Sequence, residues 1–381
     1  MSWKTVTLGD ISSNIQTGPF GSQLHQSDYS EEGTPVVMPK DLVNGHISEA
    51  SIARVSEDHV NRLSRHRIEV GDILYSRRGD VGRCAFATDM EQGWLCGTGC
   101  LRVTIDRSKA VPKFVFYQLQ KAETVGWVEK HAVGATMLNL NTSILSSVPI
   151  EIPSIKEQQV IVAMLSAYDD LIENNQKQIK LLEEAAQRLY KEWFVDLRFP
   201  GHETTPITDG IPEGWTNAVV TDLLEIKYGK DHKASEDGNI PVYGSGGVMR
   251  KVNKILHSGE SVLIPRKGSL NNILLVSGDF WTIDTMFFSI PRMPNVAKYV
   301  YLFLSGVDMY AMNIGAAVPS MTVKILDGMK VLCPSTEILA QFEKVVGPYF
   351  SMIELLKRKN ESLAEARDLL LPKLMNGEIE V

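Results

Sequence analysis

Two long stretches of the chain carry apolar residues alternately four and three positions apart, which is the spacing of a coiled-coil seam. The first seam consists of Ile161, Leu165, Tyr168, Ile172, Asn175, Ile179, Leu182, Ala186, Leu189 and Trp193. The second consists of Phe342, Val346, Tyr349, Ile353, Leu356, Asn360, Leu363, Leu370 and Leu374, and Arg367 interrupts it. The pattern predicts two long helices, each roughly 50 Å in length.

Each seam contains one asparagine, Asn175 in the first and Asn360 in the second. A buried Asn pair favours one register over slips by a heptad, at a cost in stability. We therefore expect antiparallel pairing in which Asn175 faces Asn360. The contacts expected at the two ends are Ile161 with Leu374 and Trp193 with Phe342. The alternative is that each helix packs only on its own globular domain.

The first predicted helix also has apolar residues outside its seam. These are Met164, Ala167, Leu171, Ala185 and Tyr190. Because a second apolar stripe on a helix can pack on another protein, we expect this face to be available to a partner.

The chain contains an internal repeat. The run GATMLNLNTSILSSVPIEIPS (134–154) matches GAAVPSMTVKILDGMKVLCPS (315–335) at a shift of 181 residues, and a long helical pattern follows each copy. Earlier anchors also correspond, although the loops between them differ in length. The matched anchors are Trp3 with Trp215, Pro35-Val36 with Pro241-Val242, and GDILYSRRG with GESVLIPRKG. One scaffold is thus expected twice, with different surface loops.

Short β-branched runs punctuated by Gly, Pro, Asn and Asp fill both halves, and FVFYQLQ and YVYLFLSG predict matching short helices. The fold class predicted is α+β, with two mainly β domains separated by two long antiparallel helices. The predicted segments are domain 1 at 1–153, a central helix at 154–197, a linker at 198–211 rich in Pro and Gly, domain 2 at 212–334 and a C-terminal helix at 335–376.

Composition limits where such a chain can work. The sequence opens without a basic-then-apolar leader and has no long uninterrupted apolar run, so we expect a cytoplasmic protein. Cys84, Cys96, Cys100 and Cys333 lack C-x-x-C spacing and are expected to be packed thiols.

The net charge of −7 argues against indiscriminate nucleic-acid binding, but basic residues cluster at 62–83 and 227–267. Two local basic faces on an acidic frame are therefore expected.

Catalytic motifs are mostly missing from the sequence. There is no Asn/Asp-Pro-Pro-aromatic clamp of an amino-methyltransferase and no phosphate-binding G-x-x-x-x-G-K-S/T loop, and Gly244-Ser245-Gly246-Gly247 does not complete G-x-G-x-x-G. Asp231-His232-Lys233 and Glu225-Ile226-Lys227 fit half of a nuclease signature, which chance often produces. The histidines lack metal-ligand spacing. We expect neither a catalytic centre nor a metal site.

Polar and basic Gly-rich loops remain as candidate binding elements. The loop from Gln16 to Gln23, which includes Ser22, offers amides and hydroxyls, and Arg77 and Arg78 precede Gly79. The same arginine-basic-glycine signature recurs at Arg266, Lys267 and Gly268. Arginine can pair bidentately with guanine, and Gln or Asn with adenine, whereas lysine and backbone amides hold phosphates. Solvated turn charges are the simpler alternative for each arginine.

With these residues in view, the sequence resembles the specificity (S) subunits of Type I restriction-modification enzymes. The resemblance is carried by GTPVVMPKDLVNGHI, GIPEGW, GNIPVYGSGG and, above all, EQQVIVAMLSAYDDLIENNQKQIKLLEEAAQRLYKEWFVDLRFPG. These segments lie in both halves of the chain and along the first predicted long helix.

The resemblance implies two target recognition domains, each reading one half of a split double-stranded DNA target. It implies helices that set the unread spacer and dock two methyltransferase (M) subunits, with restriction (R) subunits joining the complex. S-adenosylmethionine would then belong to M, and ATP and Mg²⁺ to R, so that this chain itself needs no cofactor. The recognition-loop patterns of the family fall on Lys40, Arg77, Arg78, Asn139, Asn141, Tyr243, Ser245, Arg266, Lys267 and Ser320.

Two other classes of function remain open at this stage. A two-module scaffold that binds protein without DNA specificity would show little salt dependence, whereas DNA affinity falls steeply with salt. A self-sufficient methyltransferase would transfer methyl groups without another subunit.

Overall fold

The computed structural model describes residues 3–134, 138–312, 320–379 and 381. Contacts divide the chain into two compact units, Met1–Glu173 with Asn360–Val381 and Asn174–Lys359. Parts of the repeated run, 135–137 in the first copy and 315–319 in the second, lie outside the described residues. None of the helices in the described ranges is long and apolar enough to cross a lipid bilayer.

The first unit is built from short strands and a few helices. The strands are β1 (Lys4–Thr7), β2 (Ser12–Thr17), β3 (Tyr29–Ser30), β4 (Thr34–Val37), β5 (Leu42–Val43), β6 (His46–Ile47), β7 (Ala53–Val55), β8 (Ile73–Ser76), β9 (Cys84–Phe86), β10 (Leu95–Cys96), β11 (Cys100–Ile105) and β12 (Pro149–Ile152). The helices are α1 (Glu57–Arg62), α2 (Pro112–Gln120), α3 (Ala122–His131), α4 (Thr142–Ser146) and the part of α5 (Ile155–Tyr190) up to Glu173, and 3₁₀ turns lie at Gln26–Asp28, Pro39–Asp41, Ser64–His66 and Asp89–Glu91.

The second unit is also built from short strands and a few helices. Its strands are β13 (Ile207–Thr208), β14 (Ile211–Pro212), β15 (Thr216–Val219), β16 (Leu224–Tyr228), β17 (Asp237–Gly244), β18 (Gly247–Val252), β19 (His257–Ser258), β20 (Ser261–Pro265), β21 (Leu274–Val276), β22 (Asp279–Thr282), β23 (Met286–Pro291) and β24 (Lys330–Cys333). Its helices are α6 (Val220–Leu223), α7 (Val296–Ser305), α8 (Val323–Asp327) and the part of α9 (Thr336–Met375) up to Lys359, and a π-helical turn at Lys191–Val195 ends α5.

Sheet order confirms the internal repeat. The sheet β2-β11-β8-β9 of the first unit matches β16-β23-β20-β21 of the second, and the strands β10-β4-β7 of the other first-unit sheet match β22-β17-β18. In each second sheet one strand pair is parallel, with Val36 beside Leu95 in one unit and Val242 beside Trp281 in the other. The predicted equivalence of Pro35-Val36 with Pro241-Val242 therefore holds at the level of strand pairing.

Both long helices begin where the sequence predicts. The Ser154 hydroxyl accepts a hydrogen bond from the Glu157 amide, and the Glu157 carboxylate accepts one from the Ser154 amide, so a capping box starts α5. The Ser335 hydroxyl accepts from the amide of Ile338 at the start of α9. These caps satisfy amides that have no partner within the helix.

The two helices pack antiparallel within each unit. In the first unit Ile161 and Leu165 share a core with Leu374, and the Asn360 side chain donates to the carbonyl of Ile172. In the second, the rings of Trp193 and Phe342 lie 5.6 Å apart and Glu183 pairs with Lys357. Trp193 thus contacts Phe342 as the seams predict, and Ile161 shares a core with Leu374, while the facing of Asn175 and Asn360 stays a prediction.

The second apolar stripe is only partly exposed. Met164, Ala167 and Leu171 are exposed, but Tyr190 is buried against Phe194 and Tyr299 in the core of the second unit. The expectation that Tyr190 faces a partner was wrong, because the π-helical turn after it places Trp193 and Phe194 in the same core. Cys84, Cys96 and Cys100 are buried free thiols, as expected.

Candidate nucleic-acid interface

The Arg77-Arg78-Gly79 turn follows β8 and is fixed by its main chain. The Arg77 amide donates to the Gly99 carbonyl at 2.8 Å, and the Arg77 carbonyl accepts from the Leu140 amide at 2.8 Å. Arg78 forms an isolated antiparallel bridge with Asn139. Gly79 has φ +75°, a left-handed conformation that favours glycine. Main-chain bonds and a left-handed glycine therefore define the shape of this turn.

The second unit holds Arg266-Lys267-Gly268 in the same way after β20. The Arg266 amide donates to the Thr285 carbonyl at 2.8 Å, and the Arg266 carbonyl accepts from the Met321 amide at 2.9 Å. Lys267 bridges to Ser320, and Gly268 has φ +84°. The structure thus brings Arg78 together with Asn139, and Lys267 together with Ser320, as equivalent pairs.

Strand register makes the equivalence exact in residue terms. Ser76 pairs with Cys100 at the end of β8, and Pro265 pairs with Met286 at the end of β20. Arg77 is therefore the counterpart of Arg266, and Arg78 is the counterpart of Lys267. Two different side-chain sets occupy one backbone geometry.

An aromatic ring lies against the arginine of each turn. The guanidinium carbon of Arg77 is 6.0 Å from the centre of the Phe20 ring, and that of Arg266 is 5.4 Å from the centre of the Tyr228 ring. Cations within about 6 Å of such a ring centre are attracted to its face. These two aromatic residues were not among the predicted site residues.

Two glycines allow the aromatic-bearing segments to approach the sheet edge closely. A Cβ atom on Gly18 would lie 2.0 Å from the Gly97 carbonyl oxygen, and one on Gly229 would lie 2.0 Å from the Ile283 carbonyl oxygen. Because the main-chain atoms at these contacts cannot move aside without a large energetic cost, only glycine fits either position. The signal was present in the sequence, because Gly18 precedes Pro19-Phe20 and Gly229 follows Tyr228 directly.

Ser245 completes the site in the second unit. A Cβ atom on Gly268 would lie 2.8 Å from the Ser245 hydroxyl, and Asn272 donates to the Ser245 carbonyl at 2.9 Å. The Tyr310 hydroxyl donates to the Gly268 carbonyl at 3.0 Å. Ser245, Lys267 and Ser320 therefore surround one turn, while Asn272 and Tyr310 support it and were missed because nothing in their spacing marks them.

Several predicted residues have local partners in the first unit. Gln16 donates its side-chain amide to the Arg65 carbonyl at 2.6 Å, and Lys40 donates to the Ser51 carbonyl at 2.6 Å. Asn141 is the N-cap of α4, since its side-chain oxygen accepts from the Ile144 amide. Ser22 is exposed in the same loop as Phe20. Their roles toward DNA stay predictions, although the cap occupies one acceptor of Asn141.

Tyr243 differs from the other predicted residues of the second unit. It is half-buried in β17 and packs on a core cluster, with its ring centre 6.4 Å from that of Phe280. The body of this side chain therefore supports the hairpin β17–β18.

Some of the basic residues in the stretches 62–83 and 227–267 are already paired with carboxylates. Carboxylates lie within 4 Å of Arg62, Arg67, Arg83, Lys227 and Arg250. Within the described ranges, no carboxylate pairs with Arg77, Arg78 or Lys267 in this way. Arg77, Arg78 and Lys267 are therefore among the cations available to bind an external anion.

A buried polar group lies beside the first turn's sheet. His66 is fully buried, and its Nε2 accepts from the Arg65 side chain at 3.0 Å. Burial, followed by the charges of Arg65 and Arg102, lowers the pKa of His66 from 6.5 to about 4. The imidazole is therefore neutral near pH 7, and it helps to hold the segment whose carbonyl Gln16 contacts.

The two nuclease-like triplets are satisfied locally. Glu225 and Lys227 form an ion pair of 2.6 Å along β16, and this contact lowers the pKa of Glu225. The Asp231 carboxylate accepts from the Lys233 amide at 2.9 Å in a turn. Each acidic group thus has a structural partner of its own.

Comparison with known proteins identifies the two units. A family model described as the Type I restriction modification DNA specificity domain matches residues 1–184 and 212–365, so that each unit contains one copy. Each unit is thus a DNA specificity domain by descent. The chain belongs to the specificity (S) subunit family of Type I restriction-modification enzymes, which confirms the resemblance found in its sequence.

Individual relatives agree over nearly the full length. The specificity subunit of the Type I restriction enzyme MjaIX of Methanocaldococcus jannaschii is 27% identical, with 91% of this chain and 87% of the relative covered. That of HindI of Haemophilus influenzae is 22% identical, with 99% of each covered. The crystal structure of a Type I restriction-modification S subunit from M. genitalium has a TM-score of 0.60 at 19% identity, covering 98% of this chain and 96% of that one. This last likeness shows the fold.

Proposed function

We propose that each unit of this specificity subunit reads one half of a bipartite double-stranded DNA target through its arginine-basic-glycine turn. The observation that carries the proposal is the repeated turn itself. Its arginine is held by equivalent main-chain bonds in both units, and the next residue forms an equivalent bridge, whereas the side chains differ. Such a scaffold presents two dissimilar sets of donors to two short sequences.

The chemistry of the turns supports contact with DNA. Arg77 and Arg266 offer planar donors that suit guanine edges or phosphates, and Arg78 and Lys267 are exposed cations. The bridged partners Asn139 and Ser320 add amide and hydroxyl groups beside these cations. A turn with this donor set can combine phosphate positioning with base readout.

We further propose that α5 and α9 set the spacer between the half-targets and dock two methyltransferase subunits. Exposed apolar residues support docking, because Met164 and Leu171 on α5 and Met352 and Leu355 on α9 cover no described core. The catalytic work would belong to the partners, with S-adenosylmethionine on the methyltransferase subunits and ATP and Mg²⁺ on the restriction subunits.

Methylation mapping tests the whole proposal. Genomic DNA from cells with and without this protein is compared, and a methylated motif with two defined halves and a fixed gap is expected only when the protein is present. A continuous motif, or no difference between the two genomes, would contradict it. The mapped motif then supplies the duplex for the binding experiments.

Half-target selectivity tests the assignment of the turns. In the complex with methyltransferase subunits, Arg266→Ala is expected to cost about 1–3 kcal/mol at one half-target and to leave discrimination at the other half unchanged. Arg77→Ala should do the reverse. Arg188→Ala is the control, since its side chain is 83% exposed on α5 and the same charge is removed. Equal loss at both halves for either turn variant would refute independent reading.

Salt dependence separates DNA recognition from protein scaffolding. The logarithm of the association constant should fall linearly with the logarithm of salt concentration. Lys267→Ala should reduce the magnitude of this slope by about 1, the amount expected for the loss of one phosphate contact. A flat response would favour a protein-binding scaffold.

A further inference from the structure

We propose that Phe20 and Tyr228 are positioning residues that hold the arginines of the two turns in a fixed orientation for DNA. This proposal rests on the proposed function and adds a pair of residues to it. Both rings are about half exposed, Phe20 at 52% and Tyr228 at 54%, so that neither is simply part of a core. Each lies under the arginine of its own turn.

The second unit shows how completely the arginine is held. The main chain of Arg266 is bonded on both sides, to Thr285 and Met321. Its guanidinium donates to the Asp284 carbonyl at 3.2 Å, and the Tyr228 ring supports one face. The remaining donors of the guanidinium therefore have a defined direction before DNA arrives.

The first unit relies on the ring more strongly. Among the described residues, the Arg77 guanidinium has no hydrogen-bond partner, and its Nε is buried without one. Phe20 is thus the described side chain that orients this guanidinium, from a turn in which Gln23 accepts a hydrogen bond from the Phe20 amide. Orientation of Arg77 should accordingly depend on Phe20 more than that of Arg266 depends on Tyr228.

The two rings do not occupy equivalent chain positions. Strand pairing makes Thr17, beside Leu101, the counterpart of Tyr228, beside Phe287. Phe20 lies beyond Thr17, in the loop after β2. A feature inherited passively with a duplicated scaffold would keep its position, so a ring that reaches the same arginine from another position points to a requirement for the contact.

Preorganisation explains why the contact matters. A free arginine side chain loses rotamer freedom on binding, and a ring that already restricts it reduces that loss. At exposed sites a cation–π contact is equivalent to about a twofold to fivefold change in affinity. Because no charge is removed with the ring, the salt dependence of binding should stay unchanged.

The test uses the full complex with methyltransferase subunits and the duplex defined by methylation mapping. Tyr228→Leu is expected to lower affinity about twofold to fivefold, with the loss confined to the half-target that Arg266→Ala affects. Tyr228→Phe keeps the ring and should restore binding. Ile255→Ala, which removes an exposed apolar side chain of the same unit, is the matched control. Phe20→Leu should act only at the other half-target, and more strongly.

A double-mutant cycle distinguishes positioning from general damage. Tyr228→Leu should have no further effect once Arg266 is alanine, whereas additive losses would overturn the proposal. Since Tyr228 also touches Phe287 at 5.0 Å, unfolding is followed in parallel, and Phe20, which stacks on no other described ring, gives the second variant. If Arg266→Ala lowers binding but neither ring variant does, the ring proposal fails and the proposed function stands. If Arg266→Ala is also silent, both fail.

Discussion

Asp169 on α5 and Arg367 on α9 lie 198 residues apart in sequence, yet their carboxylate and guanidinium are joined at 2.8 Å in the first unit. Asp169 also accepts a 2.5 Å hydrogen bond from the Tyr117 hydroxyl of α2. Arg367 therefore interrupts the apolar seam for a reason. It binds Asp169, and Asp169 in turn binds Tyr117, so that α9, α5 and α2 are linked by these three side chains.

Replacing Arg367 with alanine should destabilise the first unit by roughly 2–4 kcal/mol, because the largely buried Asp169 carboxylate would lose its closest cation. Arg367→Lys should recover only part of this stability, since lysine cannot also reach Asp368 through a planar fork. Urea unfolding measures the difference. Arg358→Ala, at an exposed position of α9, is the control, and an equal effect of both alanine variants would argue against the pair.

His66 should make the first unit acid-sensitive. Its pKa is about 4 in the folded chain and near 6.5 in the unfolded chain, so between these values the unfolded chain binds a proton that the folded chain does not. The free energy of unfolding should therefore decrease by up to about 3 kcal/mol as pH falls from 6.5 to 4. His66→Gln removes the titrating group, and its unfolding free energy should depend less on pH over this window. Identical pH profiles would contradict the assignment.

Gly18→Ala should impair recognition of the first half-target and reduce stability by a few kcal/mol, because the new methyl group would overlap the Gly97 carbonyl. Gly21→Ala is a matched control in the same loop, since a Cβ atom there meets nothing within 4 Å. Binding to half-target variants and thermal unfolding give the two readouts. Similar behaviour of both variants would show that the loop tolerates the displacement.

Deleting one heptad from both α5 and α9 should shorten the permitted spacer by about three base pairs, since seven helical residues extend roughly 10 Å and base pairs rise about 3.4 Å each. The seam is kept in register because the deletion is a whole heptad. Methylation mapping of cells that carry the variant measures the gap. An unchanged gap would refute the proposal that the helices set the spacer.

The sequence predicted what depends on period and repetition. Seam spacing indicated both long helices and the contacts of Ile161 and Trp193, and the shared signature indicated the equivalence of Arg77 with Arg266. It could not predict how far side chains reach. Tyr190 followed the helical period but was drawn into the core by the π-helical turn, and Phe20 reaches Arg77 from a loop whose path depends on the Gly18–Gly97 approach.

The main-chain bonds that hold the two turns have an evolutionary consequence. Since the Arg77 and Arg266 backbones are secured without help from the outward-facing side chains, exchanging those side chains disturbs the folded state little. On the proposed function, a point substitution in one turn is expected to change the bases read in one half of the motif and to leave the other half and the docking of partner subunits unchanged. The same proposal implies that target choice can diversify without loss of the folded subunit.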